Sequence, residues 1–296
     1  MKNQLSPQEI KAMVQLLDDT DEEVYRSIET HLLEIGKEVI PLLEDTWSNS
    51  LDAALQSRIE ELVHKIQFES LKKELQTWNN FHRHDLFSGV ILIARYQYPD
   101  LDEDKVRNFF NQLRRDVWIE LNDGFTALEQ IRIMNRVLFD QHGFSGNTAN
   151  FHAPQNSFIN NVIESKKGNP IMLSVIYTLL AQELDIPIYG VNLPEHFILC
   201  YQHLLQSPDY TYTYPDANVL FYINAFSKGS VFSKDEIETY LKKINLTPHK
   251  SYFEPCANEE IIKRILRNLS FSFNKSGYAD KVEEIDALLN VMEEEQ

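Results

Sequence analysis

Apolar residues recur at steps of three and four positions between Ser6 and about Ile66. The recurring positions are Ile10, Met13, Val14, Leu17, Val24, Ile28, Leu32 and Ile35. This spacing puts them on one face of a helix, so the pattern predicts a series of amphipathic helices. The largely acidic run at 18–21 is suited to cap the helix that contains Val24, Gly36 to end it, and Pro41 to begin the next helix.

A second helical pattern spans about residues 85–139, with a break at 98–100 and an end near Gly143. After Gly146 the character changes to a polar loop at 147–156 and a short helix at 157–164. A strongly apolar helix follows at 170–184, and its lack of a polar face predicts that it is buried.

Four later segments have the alternation and the β-branched and aromatic content of strands, and prolines separate them. They are residues 188–193, 196–201, 211–214 and 219–223. Helical spacing returns at 259–273 and 281–292. We therefore predict an α+β fold in which a helical region precedes a central helix on a small antiparallel sheet, with a helical hairpin at the end.

Composition narrows the class of protein. The chain has 296 residues, of which 43% are hydrophobic and 25% charged, so it can build a substantial core and disorder is excluded as its main state. A net charge of −17 argues against a nucleic-acid-binding role, and no apolar run approaches the length of a membrane span. With two cysteines and no apolar leader, we expect a cytoplasmic protein.

No cofactor motif or metal site is predicted. The sequence has no P-loop or dinucleotide fingerprint. His82 and His84 are the only clustered histidines, and two positions apart on a helix they point in different directions. A solvated helix start explains them better than a metal site.

Part of the N-terminal region resembles a repeat. Residues 17–24 fit Leu-Asp-Asp-x-Asp-x-x-Val, and residues 32–43 fit Leu-x-x-Ile-Gly-x-x-x-Ile-Pro-Leu-Leu, which together resemble one HEAT-type helical repeat. A lone repeat cannot bury both of its faces and must stack on other elements. We predict three regions: a HEAT-like region at 1–77, a core with its preceding helices at 78–254, and a tetratricopeptide-like tail at 255–296.

The core carries a more specific resemblance. Residues 156–163 read Asn-Ser-Phe-Ile-Asn-Asn-Val-Ile, residues 166–171 read Lys-Lys-Gly-Asn-Pro-Ile, and residues 194–197 read Pro-Glu-His-Phe. Together these resemble the Asn-Ser-x-Leu, basic-pair Gly-x-Pro-Ile and Pro-Gly-His-Phe motifs of bacterial transglutaminase-like proteins of the invasion-regulator type. Residues 265–269, Ile-Leu-Arg-Asn-Leu, resemble the tetratricopeptide-like tail of the same family. The resemblance implies a papain-like core from about residue 85 onward.

In the wider transglutaminase family a cysteine follows a Gly-x pair at the start of a buried helix, and a histidine and an aspartate on two strands complete the triad. An ungapped comparison puts Pro170 at the cysteine, His196 at the histidine and Asn224 at the aspartate. Asparagine can orient a histidine. Proline, however, has neither a thiol nor a backbone N–H, so the resemblance implies a vestigial triad without its nucleophile.

Pro170 also has a purely structural explanation, because Asn169 as N-cap and a proline at the first helical position make a strong helix start. Cys200 and Ser174 are the two other candidate nucleophiles. Cys200 lies four strand positions from His196, roughly 13 Å away, and is better explained as a small core residue. Ser174, one turn into the helix, is expected to pack on the sheet.

The expected function is that of a catalytically inactive transglutaminase-fold protein, a protein-binding or regulatory module with an unidentified protein partner. Asn156, Asn169, Ser174 and Glu195 are the expected pocket residues beside the vestigial triad. An alternative is residual hydrolase or amidase activity that uses His196 with a non-cysteine nucleophile. A third hypothesis is a regulatory subunit whose pocket around His196, Glu195 and Asn224 retains a small ligand.

Overall fold

The helices of the N-terminal region begin and end at the residues that suit those positions. A computed structural model describes residues 6–19, 21–202 and 219–293. Its helices before residue 78 are α1 (Pro7–Gln15), α2 (Glu22–Ile35), α3 (Ile40–Asn49) and α4 (Ala53–Thr77). Asp21 caps α2 by accepting a hydrogen bond from the N–H of Glu23, and Gly36 ends this helix at a φ of 80°, which favours glycine.

The chain divides into two compact units, an N-terminal unit of residues 1–77 and a C-terminal unit of residues 78–296. The N-terminal unit has a core of its own, to which all four helices or their connections contribute. Its buried members are Val14, Leu17, Tyr25, Leu32, Val39, Leu43, Ile59, Leu62 and Ile66. The three- and four-residue spacing of the sequence thus corresponds to the buried face of these helices.

The C-terminal unit contains the remaining elements. Its helices are α5 (Leu86–Gln97), α6 (Glu103–Trp118), α7 (Ala127–Asn135), α8 (Ile159–Ser165), α9 (Pro170–Gln182), α10 (Lys234–Lys243), α11 (Asn258–Lys275) and α12 (Ala279–Glu293). Its strands are β1 (Ser145–Gly146), β2 (Lys167–Gly168), β3 (Ile188–Val191), β4 (Ile198–Gln202), β5 (Val219–Asn224) and β6 (Ser230–Phe232). This is an α+β fold, as predicted.

A four-stranded antiparallel sheet follows chain order, β3-β4-β5-β6. One of its faces packs against α10, because Ile198, Cys200 and Tyr222 share a hydrophobic cluster with Ile237 and Leu241. Successive side chains of a strand point to opposite faces, so the residues between them point away from α10. That second face lies against α9, which contacts both β3 and β4.

Helix α9 is the buried helix that its composition predicted. Every residue from Ile171 to Ala181 is buried. At its start, β1 and β2 form a short parallel pair in which Gly146 lies opposite Gly168. Any side chain on Gly146 would collide with the ring of Phe226, so glycine allows this close approach.

Several predicted boundaries differ from the structure. The helical pattern after Pro99 is two helices, α6 and α7, because an Asn122–Gly124 turn interrupts it and Thr126 caps a new start. The predicted strand at 196–201 begins only at Ile198. Strand β6 and helix α10 were not predicted, and the segment at 211–214 lies outside the described residues.

The last two helices form an antiparallel pair that belongs to the C-terminal unit. Arg267 of α11 contacts Glu293 of α12, while Ser270, further along α11, bonds to the earlier Asp286. Helix α11 also packs against α5 and α9. The tail thereby brings one face of α11 next to the start of α9.

Candidate functional site

The start of α9 is fixed by the side chain of its N-cap residue, Asn169, which bonds both to the helix and to Ser157. The amide oxygen of Asn169 accepts from the N–H of Met172 at 2.9 Å, and its amide nitrogen donates to the Ser157 hydroxyl at 2.8 Å. Pro170 occupies the first helical position, where the absence of an N–H costs no hydrogen bond. The position that the resemblance assigns to a nucleophile therefore presents a pyrrolidine ring.

Asn156 supports this region by holding the polar loop that precedes it. Its amide nitrogen donates to the carbonyls of Asn150 and Phe151, at 2.7 and 3.1 Å. Its amide oxygen accepts from Asn147 at 2.9 Å. Asn156 is itself buried, so these contacts satisfy a polar group inside the protein and order the loop as far as Phe151.

His196 lies in the turn before β4, and its side chain is exposed. Its ring packs edge-on against Tyr240 of α10, with the ring centroids 5.0 Å apart. The neighbouring Phe197 lines a cavity in front of Pro170. His196 thus packs on α10, while Pro170 begins α9, which contacts β3 and β4.

Glu195, beside it, adopts a left-handed backbone conformation with a φ of 61°. Its carboxylate accepts a long hydrogen bond, 3.4 Å, from the Tyr240 hydroxyl, and it also reaches the cavity in front of Pro170. Glu195 was expected to be a pocket residue, and it lines this cavity.

Asn224 ends β5 and turns its side chain to the backbone. Its amide oxygen accepts from the N–H groups of Phe226 and Ser227, at 3.1 and 3.3 Å, and so caps the short 3₁₀ turn that follows. Among the residues that the structure describes, no hydrogen bond joins Asn224 to His196. The oxygen that would orient a histidine is occupied by backbone donors.

Neither alternative nucleophile has a reactive setting. Ser174 is fully buried in α9, and its hydroxyl has no hydrogen-bond partner within the described ranges. Cys200 points toward α10, and burial raises the pKa of its thiol to about 12. Burial likewise raises the pKa of Cys256 to about 12, so both sulfurs are protonated thiols at neutral pH.

A cavity of about 160 Å³ opens in front of Pro170. Phe151 of the polar loop, Phe197 of the turn before β4, and Phe271 of α11 supply apolar walls. The guanidinium of Arg264, on the same helix as Phe271, supplies a positive charge. We call this space the α9 cavity; it combines aromatic surface with a half-buried guanidinium.

Sequence reasoning missed Arg264 and the aromatic walls. Arg264 follows Lys263 between Ile262 and Ile265 of α11, and a pair of basic residues at such a position is typical of a solvent-facing helix surface. Nothing in the local pattern indicates that α11 packs beside a helix that begins at Pro170. A long-range contact between α9 and α11 creates the site, and local periodicity does not encode it.

Other candidate chemistry stays apart from this site. The rings of His82 and His84 are 6.4 Å apart and both residues are exposed. No group of three metal-ligating side chains occurs within 6–19, 21–202 and 219–293. A larger groove, about 840 Å³, lies beside Trp118 and Tyr201 and contains none of the residues that the sequence placed at the site.

None of the helices in the described part of the chain is long and apolar enough to cross a membrane.

Comparison with known proteins places the core in a family. The model of the transglutaminase-like superfamily matches residues 104–267, from α6 through most of α11. A UPF0162 protein of Xylella fastidiosa is 30% identical over 222 residues, which cover 66% of this chain and 69% of that protein. A UPF0162 protein of Haemophilus influenzae is 24% identical over 179 residues, 59% of this chain and 66% of that protein.

A shorter match lies outside bacteria. F-box only protein 21 of Homo sapiens is 32% identical over 105 residues, 36% of this chain and 16% of that protein. No solved structure matches the chain. The family match covers more than half of the chain and includes both the buried helix α9 and the antiparallel sheet, so this chain belongs to the transglutaminase-like superfamily.

Proposed function

We propose that this protein uses the transglutaminase-like fold for binding and does not catalyse acyl transfer. The observation that carries the proposal is Pro170 at the first position of α9. Cysteine-based acyl transfer needs a thiolate, and a helix N-terminus beside a histidine stabilises that thiolate. Proline supplies no sulfur, and it also removes a backbone N–H that could stabilise an oxyanion.

The two remaining triad positions support the same proposal. His196 packs against Tyr240 on the α10 side of the sheet, and the amide oxygen of Asn224 accepts two backbone hydrogen bonds. A general base must come within hydrogen-bond reach of the proton that it removes. In this arrangement His196 is exposed and packs against Tyr240, whereas Ser174, the hydroxyl considered as a substitute nucleophile, is fully buried.

A binding role is proposed to be regulatory and to involve a protein partner. The HEAT-like region at 1–77 and the tetratricopeptide-like tail at 255–296 are proposed to provide surfaces for that partner, as helical repeats do elsewhere. Several large apolar side chains are exposed on the C-terminal unit, among them Trp118 and Ile119, at 68% and 73%. Exposed apolar groups of this size are enriched at protein interfaces.

The proposal is tested by assaying the wild-type chain for transfer of a fluorescent amine to a glutamine-containing peptide and for amide and ester hydrolysis. We expect no turnover above that of His196→Ala. Pro170→Cys should also stay inactive, since the His196 ring packs against Tyr240 and the Asn224 amide oxygen accepts from backbone donors. Pro170→Ala is the matched variant without a thiol.

Two results would contradict this proposal in different ways. Wild-type turnover that disappears in His196→Ala would establish the hydrolase or amidase alternative. Thiol-dependent turnover in Pro170→Cys, absent from Pro170→Ala, would show that the histidine does reach the helix start, and that the loss of function rests on the proline alone.

A further inference from the structure

The α9 cavity is lined by one arginine, Arg264, and by one carboxylate, Glu195, and these two side chains do not form an ion pair. The guanidinium of Arg264 donates to the amide oxygen of Asn192 at 3.1 Å, a neutral partner. Within the described ranges no carboxylate forms an ion pair with it. One turn further along α11, Arg267 does have such a partner, Glu293, at 3.3 Å.

The cost of this arrangement is visible in the pKa. Burial lowers the pKa of Arg264 from its usual value, and the neighbouring positive charge of Arg267 lowers it further. A guanidinium stays charged even so, and a half-buried cation without a counter-ion is an unfavourable way to build a core. An anion that enters the cavity would supply the guanidinium of Arg264 with a counter-ion.

The surroundings of Arg264 determine what kind of anion fits. Asn268 and Phe271 lie four and seven positions further along α11, on the same helix face, and both line the cavity. Asn268 offers an amide donor beside the guanidinium, while Phe271, Phe151 and Phe197 form aromatic walls. The site therefore has a polar end at α11 and an apolar body.

The volume of the cavity limits the size of the ligand. A volume of about 160 Å³ resembles that of engineered cavities of about 150 Å³, which hold one benzene ring. Glu195 at the same cavity brings a negative charge that disfavours a second anionic group on the ligand. A dicarboxylate or a doubly charged phosphate should thus be excluded, while a single carboxylate can reach Arg264.

We propose that the α9 cavity binds a small aromatic or branched monocarboxylate, with its carboxylate on Arg264 and its apolar body between Phe151, Phe197 and Phe271. The planar fork of the guanidinium matches a carboxylate with two parallel hydrogen bonds. The net charge of −17 does not attract anions at long range, so recognition depends on this local cation. This inference rests on the proposed function in assuming that the protein binds the ligand without reacting with it.

The test is calorimetric titration of the full chain with benzoate, compared with the neutral isostere benzamide and with inorganic phosphate. We expect saturable binding of benzoate and binding at least about tenfold weaker for benzamide, because loss of a charged hydrogen-bond partner costs about that much. Phosphate should not compete. Arg264→Gln should weaken benzoate binding by at least about tenfold, whereas the matched variant Arg267→Gln should leave it within about twofold.

The comparison of benzoate with benzamide needs no substitution, so the test holds even if Arg264→Gln fails to fold. Arg264→Lys, which keeps the charge without the fork, provides a second variant and should bind benzoate more weakly than the wild type. No saturable binding of benzoate, equal binding of benzamide, or unchanged binding in a folded Arg264→Gln variant overturns the inference. Binding followed by chemical conversion of a carboxylate ligand would contradict the proposed function and leave this site intact.

Discussion

The proline at position 170 has two effects: it favours the start of α9, and it leaves that position without a nucleophilic side chain. A proline at the first turn is pre-organised for a helix, and with Asn169 as cap it gives α9 a defined start. The same ring excludes a nucleophile from that start. A chain can therefore keep the buried helix of its family with a proline, and no thiol, at the first helical position.

The two cysteines make a prediction about pH. Burial raises the pKa of Cys200 and of Cys256 to about 12, above the ordinary thiol value of 9.0. Each thiol binds its proton more tightly in the folded state, so its contribution to stability is intact below about pH 9 and is lost as pH rises toward about 12. Over that interval each should lower the free energy of unfolding by about 1.4 kcal/mol per pH unit.

Urea unfolding at about pH 7.5, 9 and 10.5 checks this expectation. Burial also raises the pKa of Tyr177, which adds a loss of the same sign at higher pH. Cys256→Ala is the control, because removal of one thiol should make the alkaline decline shallower. Stability that stays constant or increases across this range would show that the thiols are accessible to water.

At the residue scale, local chemistry was predictable and orientation was not. Asn169 and Pro170 act on the helix that they begin, so these two adjacent residues were enough to predict the cap. His196 was identified by its motif, but its direction depends on the strand pairing and on Tyr240, far away in the sequence. A shift of one position along a strand reverses the face to which a side chain points.

At the element scale, the strength of the apolar pattern decided which elements could be predicted. Helix α9 is almost wholly apolar and was predicted to within two residues of its C-terminal end. Helix α10 has only two buried residues, Ile237 and Leu241, and was missed. A capping box at Ser233 marks its start, so cap chemistry carried a signal where hydrophobic periodicity was weak.

The cap of α9 should be worth more than an ordinary helix cap. Asn169 is buried, accepts from Met172 and donates to Ser157, so Asn169→Ala removes two hydrogen bonds and leaves a buried hydroxyl with one partner fewer. We expect a loss of about 2–3 kcal/mol in the free energy of unfolding. Thr126→Ala, at the exposed cap of α7, should cost only about 1 kcal/mol.

Chemical denaturation of both variants at one pH measures the difference. Far-ultraviolet circular dichroism before denaturation establishes that each variant is folded. Equal losses for the buried and the exposed cap would indicate that Asn169 and Ser157 are hydrated and that their hydrogen bond does not hold the start of α9 rigidly.

At the scale of the whole molecule, the division of the chain into two units follows from the sequence range over which each hydrophobic cluster draws its residues. The cluster around Leu32 and Leu62 draws all its members from residues 10–66, while the cluster around Cys200 and Tyr222 spans residues 189–253. Short-range clusters of this kind can be predicted from sequence periodicity. The contact of α11 with α9, which builds the α9 cavity, joins segments about ninety residues apart. Sequence periodicity is a local signal and could not predict this contact.

Net charge is a property of the whole molecule that also affects its stability. The chain has 45 acidic and 28 basic residues, so at neutral pH repulsion among carboxylates acts on every compact state. Ion pairs offset part of it, for example Lys65 with Glu29 at 2.6 Å and Arg58 with Glu22 at 3.1 Å. These pairs are partly exposed, where each contributes about 0–1 kcal/mol, so the excess of negative charge dominates the response to salt.

We therefore expect the free energy of unfolding to increase, by an amount on the order of 1 kcal/mol, when NaCl is raised from about 10 mM to about 200 mM, since the screening length falls from about 30 Å to under 10 Å. Urea unfolding at fixed pH measures the change. KCl is the control: screening depends on ionic strength, so both salts should give the same increase, whereas a larger effect of one cation would indicate specific binding. A decrease with salt would mean that attractive ion pairs outweigh the repulsion of the 17 excess negative charges. In that case electrostatics would stabilise the fold through particular pairs, and the net charge would have little bearing on stability.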